Sequence, residues 1–162
     1  MNRTKKLTIM AMLIAIGLVA SQFIWFPAGV ARAYPVQHAV NVIAAVLLGT
    51  GPAVLIAFAI GLLRNLLGLG TILAFPGGLV GALFAGLAYR WTKKRSSAVA
   101  GEIVGTSVIG ALLAAPIAWY FLGHPGGVFF FVPGFFVSSV AGGLIAWFLL
   151  SRLQPRLERN TQ

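Results

Sequence analysis

Gln37 and His38 precede Asn41 by four and three positions, so a helix would carry two amides and an imidazole on one face. Each of these groups both donates and accepts hydrogen bonds without a fixed charge. Inside an apolar run such groups must find partners, which makes them candidates for the hydrogen-bonding wall of a binding pocket. A small neutral ligand would use a few of them, together with aromatic faces for stacking. Trp25, Tyr34 and the Phe129–Phe131 run, Phe130 included, stand in or beside loop-like stretches and could supply those faces. The plainer alternative for the polar trio is a helix end that faces headgroup water.

Arg64 and Asn65 close another apolar run. The arginine either snorkels to the outer headgroups or donates to a ligand or gating loop. Were the ligand anionic, Arg64 and Arg32 would be its partners; a neutral ligand is the preferred reading. Glu102 is the one acidic residue in the apolar region, because the only other, Glu158, belongs to the tail. Pairing with the nearby basic loop or a positive helix N-terminus is expected for it, with a structural or proton-linked role deeper in the bundle as the alternative. A single carboxylate leaves no acid–base pair, so an enzyme is not expected. His38 and His124 without a carboxylate make no metal site, and the chain has no cysteine. Neither a metal nor a cofactor is expected. Gly49-Thr50-Gly51-Pro52 lacks the Lys-Ser/Thr of a phosphate-binding loop, so any uphill transport would draw on a partner or an ion gradient.

The elements that must position these residues follow from charge and hydropathy. Of 12 Lys and Arg, all but Arg32 and Arg64 fall into three clusters: Arg3, Lys5 and Lys6; Arg90, Lys93, Lys94 and Arg95; and Arg152, Arg156 and Arg159. Long apolar stretches separate them. With 59% hydrophobic and 9% charged residues, no solvated surface could be built. The net charge of +10 therefore reads as membrane topology and anionic headgroups, and nucleic acid is not an expected partner. Six spans are expected, near residues 7–24, 36–48, 53–67, 71–89, 98–122 and 130–150. They form a single integral membrane domain with both termini cytoplasmic. The breakers Pro27, Gly29 and Pro35 mark a loop, and Gly49–Pro52 a tight turn. Gly68-Leu69-Gly70 ends the third run, and Pro76-Gly77-Gly78 interrupts the fourth. Pro116 marks a kink, and His124-Pro125-Gly126-Gly127 an outer loop. Ala31-Arg32-Ala33 resembles a signal cleavage site, but the preceding apolar run of about 20 residues is span-length, and a span is expected.

Small residues recur four apart at Ala11/Ala15, Ala53/Ala57/Gly61, Gly77/Gly81/Ala85, Gly101/Gly105 and Ser138/Gly142/Ala146. Such spacing lets helix backbones approach closely, and most of these pairs are expected to pack within the bundle.

Several blocks resemble one family in order along nearly the whole chain. They are Gln37-His38-Ala39-Val40-Asn41, Gly61-Leu62-Leu63-Arg64-Asn65-Leu66-Leu67-Gly68, Leu73-Ala74-Phe75-Pro76-Gly77-Gly78, Gly101-Glu102-Ile103-Val104-Gly105-Thr106 and Phe129-Phe130-Phe131-Val132-Pro133. Together they resemble the ThiW family, thiazole-specific S-components of energy-coupling-factor (ECF) vitamin transporters. The resemblance implies an all-α, six-helix bundle in a prokaryotic plasma membrane that binds hydroxyethylthiazole, a thiamine precursor. It implies as partners a transmembrane coupling subunit, docking on Ala11 and Ala15, and two cytoplasmic ATPases. The alternatives are an S-component for another thiamine-related or small vitamin ligand, and a self-sufficient carrier or channel.

Overall fold

The computed structural model describes residues 1–28, 31–123, 127 and 129–159, with side chains through Arg152 at the C-terminal end. Gly29, His124, Pro125, Gly126 and the side chains of Arg156 and Arg159 lie outside the described residues. The elements run α1 Arg3–Phe23, β1 Phe26–Ala28, β2 Ala31–Ala33, α2 Pro35–Leu48, α3 Thr50–Leu66 and α4 Ala74–Thr92. Then come α5 Arg95–Val104, a π segment Gly105–Gly110, α6 Ala111–Leu122 and α7 Val132–Arg159. Because α5, the π segment and α6 form one continuous rod, the bundle has six helical members.

Local chemistry sets the ends of these rods. Asn2 caps α1, its side chain accepting from Lys5 N at 2.9 Å. Pro35 opens α2, where its missing N–H costs no helical bond. Only Gly49 separates α2 from α3; its φ of 90° suits a residue without a Cβ, so the reversal is tighter than the expected four-residue turn. Pro76 falls in the first turn of α4 for the same reason as Pro35, so Pro76-Gly77-Gly78 continues the helix instead of interrupting it. The expected loop after α1 contains a short antiparallel hairpin, with Phe26 opposite Ala33 and Ala28 opposite Ala31.

Arg3–Phe23, Arg95–Phe121 and Val132–Arg152 are long and apolar enough to cross a membrane, and α2 and α3 are shorter apolar helices. The outer surface is apolar too. Leu7, Val19, Phe23, Leu55, Phe148 and other large hydrophobics are exposed, which suits lipid and not water.

Inside, the core is built mainly of small side chains. Ala44, Ala53, Ala82, Ala85, Ala98, Ala114 and Ala118 are all fully buried. A Cβ on Gly110 would come within 2.7 Å of Gly77 Cα, and one on Gly101 within 2.5 Å of the Phe84 carbonyl. One on Gly142 would collide with the start of α2, 2.6 Å from His38 Cβ. These glycines hold the rod and α7 against α4 and α2 at backbone distance. Ala11 and Ala15 differ: both are exposed, while α1 turns Met10, Leu13, Gly17 and Ser21 inward. Successive helices alternate in direction. The hairpin, the 67–73 connection and the start of α7 therefore gather at one end of the bundle, and the start of α1 and the end of α7 at the other.

Candidate ligand-binding site

A cavity of about 280 Å³ opens between the hairpin, α2, α3, α4, the π segment and α7. That is close to the lower bound of about 300 Å³ typical of small-molecule pockets. It lies at the hairpin end of the bundle. Arg32, Tyr34, Gln37, His38 and Arg64 line one side. Thr71, Gly77, Gly78 and Thr106 line another, and Phe131, Phe135 and Ser138 a third.

One wall is organised by Arg64, near the C-terminal end of α3. Its side chain is 2% exposed and points into the cavity rather than out to headgroups. Nη1 donates to Gln37 Oε1 at 2.5 Å and Nη2 reaches the Leu69 carbonyl at 3.4 Å. The guanidinium lies 3.6 Å from the Tyr34 ring centroid. Tyr34 donates its hydroxyl to the same Leu69 carbonyl at 3.2 Å, and its backbone N–H donates to Ser138 Oγ at 2.8 Å. Hairpin, α3, the 67–73 connection and α7 are thus tied together around one side chain. Arg32 packs over Trp25, 4.1 Å from the ring centroid.

The floor is organised by Glu102. It is 0% exposed, two turns into α5, and among the described residues its ion-pair contact is with His38, not with the basic loop. Arg95 instead donates to the Leu150 carbonyl at 3.1 Å. Glu102 Oε1 lies 2.7 Å from His38 Nδ1 and 3.1 Å from both Asn41 Nδ2 and Thr106 Oγ1. An amide nitrogen can only donate, so Oε1 acts as an acceptor and the imidazole N–H points at it. Asn41 also donates to the Gly78 carbonyl at 3.1 Å, and Thr106 Oγ1 is 3.1 Å from the Gly77 carbonyl. Gly81 makes room for this cluster, since a Cβ there would lie 2.6 Å from Glu102 Oε1. The expectation of a partner in the basic loop therefore fails. Burial without a donor would be prohibitive for a carboxylate; Thr106 lies one helical turn away, while α2 brings two donors that sequence spacing does not reveal.

The polar face of α2 is buried throughout, not exposed to headgroup water. Gln37 and His38 line the cavity; Asn41 is sealed beneath it, against Glu102. Tyr34 and Arg64 line it as well. Asn65 does not: its side chain donates to the Gly61 and Thr71 carbonyls and pins the connection to α4. Trp25 supports Arg32 from outside. Phe130 stands edge-on to Phe131, ring centroids 5.2 Å apart, and Phe131 is the ring that lines the cavity. Thr106, Ser138, Thr71 and Phe135 also line the cavity, and the sequence reading does not name them as site residues. Of these, Thr106 alone carried a signal, one helical turn beyond Glu102. Among the described residues, no group of three or more His, Cys, Asp or Glu could hold a metal.

Comparison with known proteins agrees with this architecture. The profile of the family described as thiamine-precursor transporter protein (ThiW) matches residues 7–156. A solved structure, the S component of a bacterial ECF transporter, is similar with a TM-score of 0.68 at 19% identity, over 99% of this chain and 99% of that one. No curated protein matches. With the family profile spanning nearly the whole chain, and the fold that of an ECF S component, the protein belongs to the ThiW family of membrane transport proteins.

Proposed function

We propose that this protein is the substrate-binding S component of an ECF importer and that it takes up hydroxyethylthiazole, the thiazole precursor of thiamine. The observation that carries this reading is the cavity lined by polar side chains from β2, α2, α3, the π segment and α7, in a chain whose family is described by thiamine-precursor transport. Polar groups inside a membrane bundle are costly and mark substrate sites. Gln37, His38, Thr106 and Ser138 offer hydrogen bonds to a ring nitrogen and a hydroxyl, and Tyr34, Phe131 and Phe135 offer aromatic faces. Asn41 and Asn65 act by holding the walls.

The energy comes from partner ATPases through a coupling subunit that docks on the Ala11/Ala15 strip of α1. The positive-inside rule puts both termini and the Arg90–Arg95 cluster in the cytoplasm, so the cavity opens outward. Single cysteines at Ser96 and Gly127 test this in intact cells. An impermeant maleimide should label Gly127→Cys and spare Ser96→Cys; the opposite pattern contradicts the orientation.

Titration calorimetry on purified variants tests the site. His38→Ala removes one hydrogen-bonding group from a desolvated wall. It should cost about 1–3 kcal/mol, or roughly 5- to 150-fold in thiazole affinity. Tyr34→Leu should cost a smaller stacking contribution of about 0.5–1.5 kcal/mol. Unchanged affinity in both folded variants would move the ligand out of this cavity.

A further inference from the structure

Arg64 is a buried cation with no carboxylate beside it among the described residues. Its described partners are all neutral: an amide oxygen of Gln37, the Leu69 carbonyl and the face of Tyr34. The chain has two acidic residues. Glu102 makes its ion-pair contact with His38, and Glu158 belongs to the far end of α7. Among the described residues no carboxylate lies within ion-pair distance of Arg64. A buried guanidinium without an opposite charge is unfavourable in hydrocarbon, and proteins keep one where a ligand or partner neutralises it.

Two further features bear on the charge at this cavity. Arg64 lines the cavity while 2% exposed, and its Nε, sealed from the cavity's solvent, has no hydrogen-bond partner among the described residues. A second guanidinium, Arg32, lines the same cavity from the hairpin, steadied by the Trp25 ring. Two guanidinium groups with donors to spare match an oxyanion, which accepts several N–H bonds at once. A neutral hydroxyl accepts fewer and leaves the charge of Arg64 in place.

We propose that the preferred ligand is an anionic form of the precursor, a phosphate monoester or a carboxylate, whose oxyanion seats between Arg64 and Arg32. This rests on the reading of the cavity as the site for a thiazole precursor of thiamine, and puts a charged relative of the neutral alcohol in its place as the tightest ligand. The ring then lies over the floor formed by His38 and Thr106, with its anionic arm toward the hairpin. Arg64 contributes the charge that the bundle leaves unbalanced. Arg32, more exposed, closes over the group from outside.

Three probes test this on the purified full chain: hydroxyethylthiazole, its phosphate monoester, and the thiazole with a carboxymethyl arm in place of the hydroxyethyl. One anionic probe should bind about 10- to 100-fold more tightly than the alcohol, as charge-assisted hydrogen bonds do over neutral ones. Which anion wins distinguishes phosphate from carboxylate. Arg64→Gln should erase the preference by weakening the anion far more than the alcohol, and Arg64→Lys should restore part of it. Arg32→Gln, at an exposed position, should lower the same ratio with little change in melting temperature. A merely structural arginine would weaken all three probes alike. If the alcohol binds wild type at least as tightly as both anions, or if neither arginine variant alters the ratio, the anionic proposal is overturned and the thiazole site stands. If no probe binds, both fall together.

Discussion

Glu102→Ala is expected to lower folding stability by about 3–5 kcal/mol, because it strands several buried donors at once and each costs about 1–3 kcal/mol when unsatisfied. The carboxylate is the common acceptor for His38, Asn41 and Thr106, which arrive from α2 and the π segment. Without it, an imidazole N–H and an amide N–H lose their shared acceptor in a site closed to water. A cavity is also left against Gly81. Glu102→Gln keeps an acceptor oxygen but puts a second NH₂ among donors, so it should fall between wild type and alanine. Thermal unfolding in detergent, with denaturant titration for the free energies, measures this. A loss below about 1 kcal/mol for Glu102→Ala would mean that the cluster is not held by its carboxylate.

Ala15→Trp should have the opposite profile: little effect on stability or ligand affinity, and a severe effect on transport. Ala11 and Ala15 are exposed, whereas the other small-residue pairs include members pressed against neighbouring helices. An indole at position 15 would keep a partner helix from approaching at backbone distance. Uptake by the assembled transporter should drop roughly tenfold or more, as for any interface that loses about 1.4 kcal/mol. Uptake assays in vesicles containing the coupling and ATPase subunits, paired with calorimetry on the isolated variant, separate the two effects. Normal uptake by Ala15→Trp would remove α1 as the docking face.

The six-helix bundle was legible because its signal is long-range and redundant: apolar runs of span length, punctuated by clusters of Lys and Arg. The hairpin was not, since three-residue strands around Pro27 carry no periodicity. Pro76 was misleading because proline reads as a breaker, yet at a first turn it removes only an N–H without a helical partner. Within the site, Gln37, His38, Tyr34 and Arg64 were legible as polar or aromatic residues out of place in hydrocarbon. The partner of Glu102 was not. His38 is 64 positions away, and only the packing of α5 against α2 brings the two within 2.7 Å. Asn65 carries the same polarity signal as Arg64 but faces the 67–73 connection, a distinction set by helix rotation. Phe130 and Phe131 differ in the same way, adjacent in sequence and on different faces of one turn.

The most direct test is titration of the purified wild-type chain, without partner subunits or ATP, with hydroxyethylthiazole and its phosphate ester. Saturable one-to-one binding is expected, weakened by His38→Ala. A folded wild-type protein that binds neither molecule would contradict the assignment of this cavity to the thiazole precursor of thiamine.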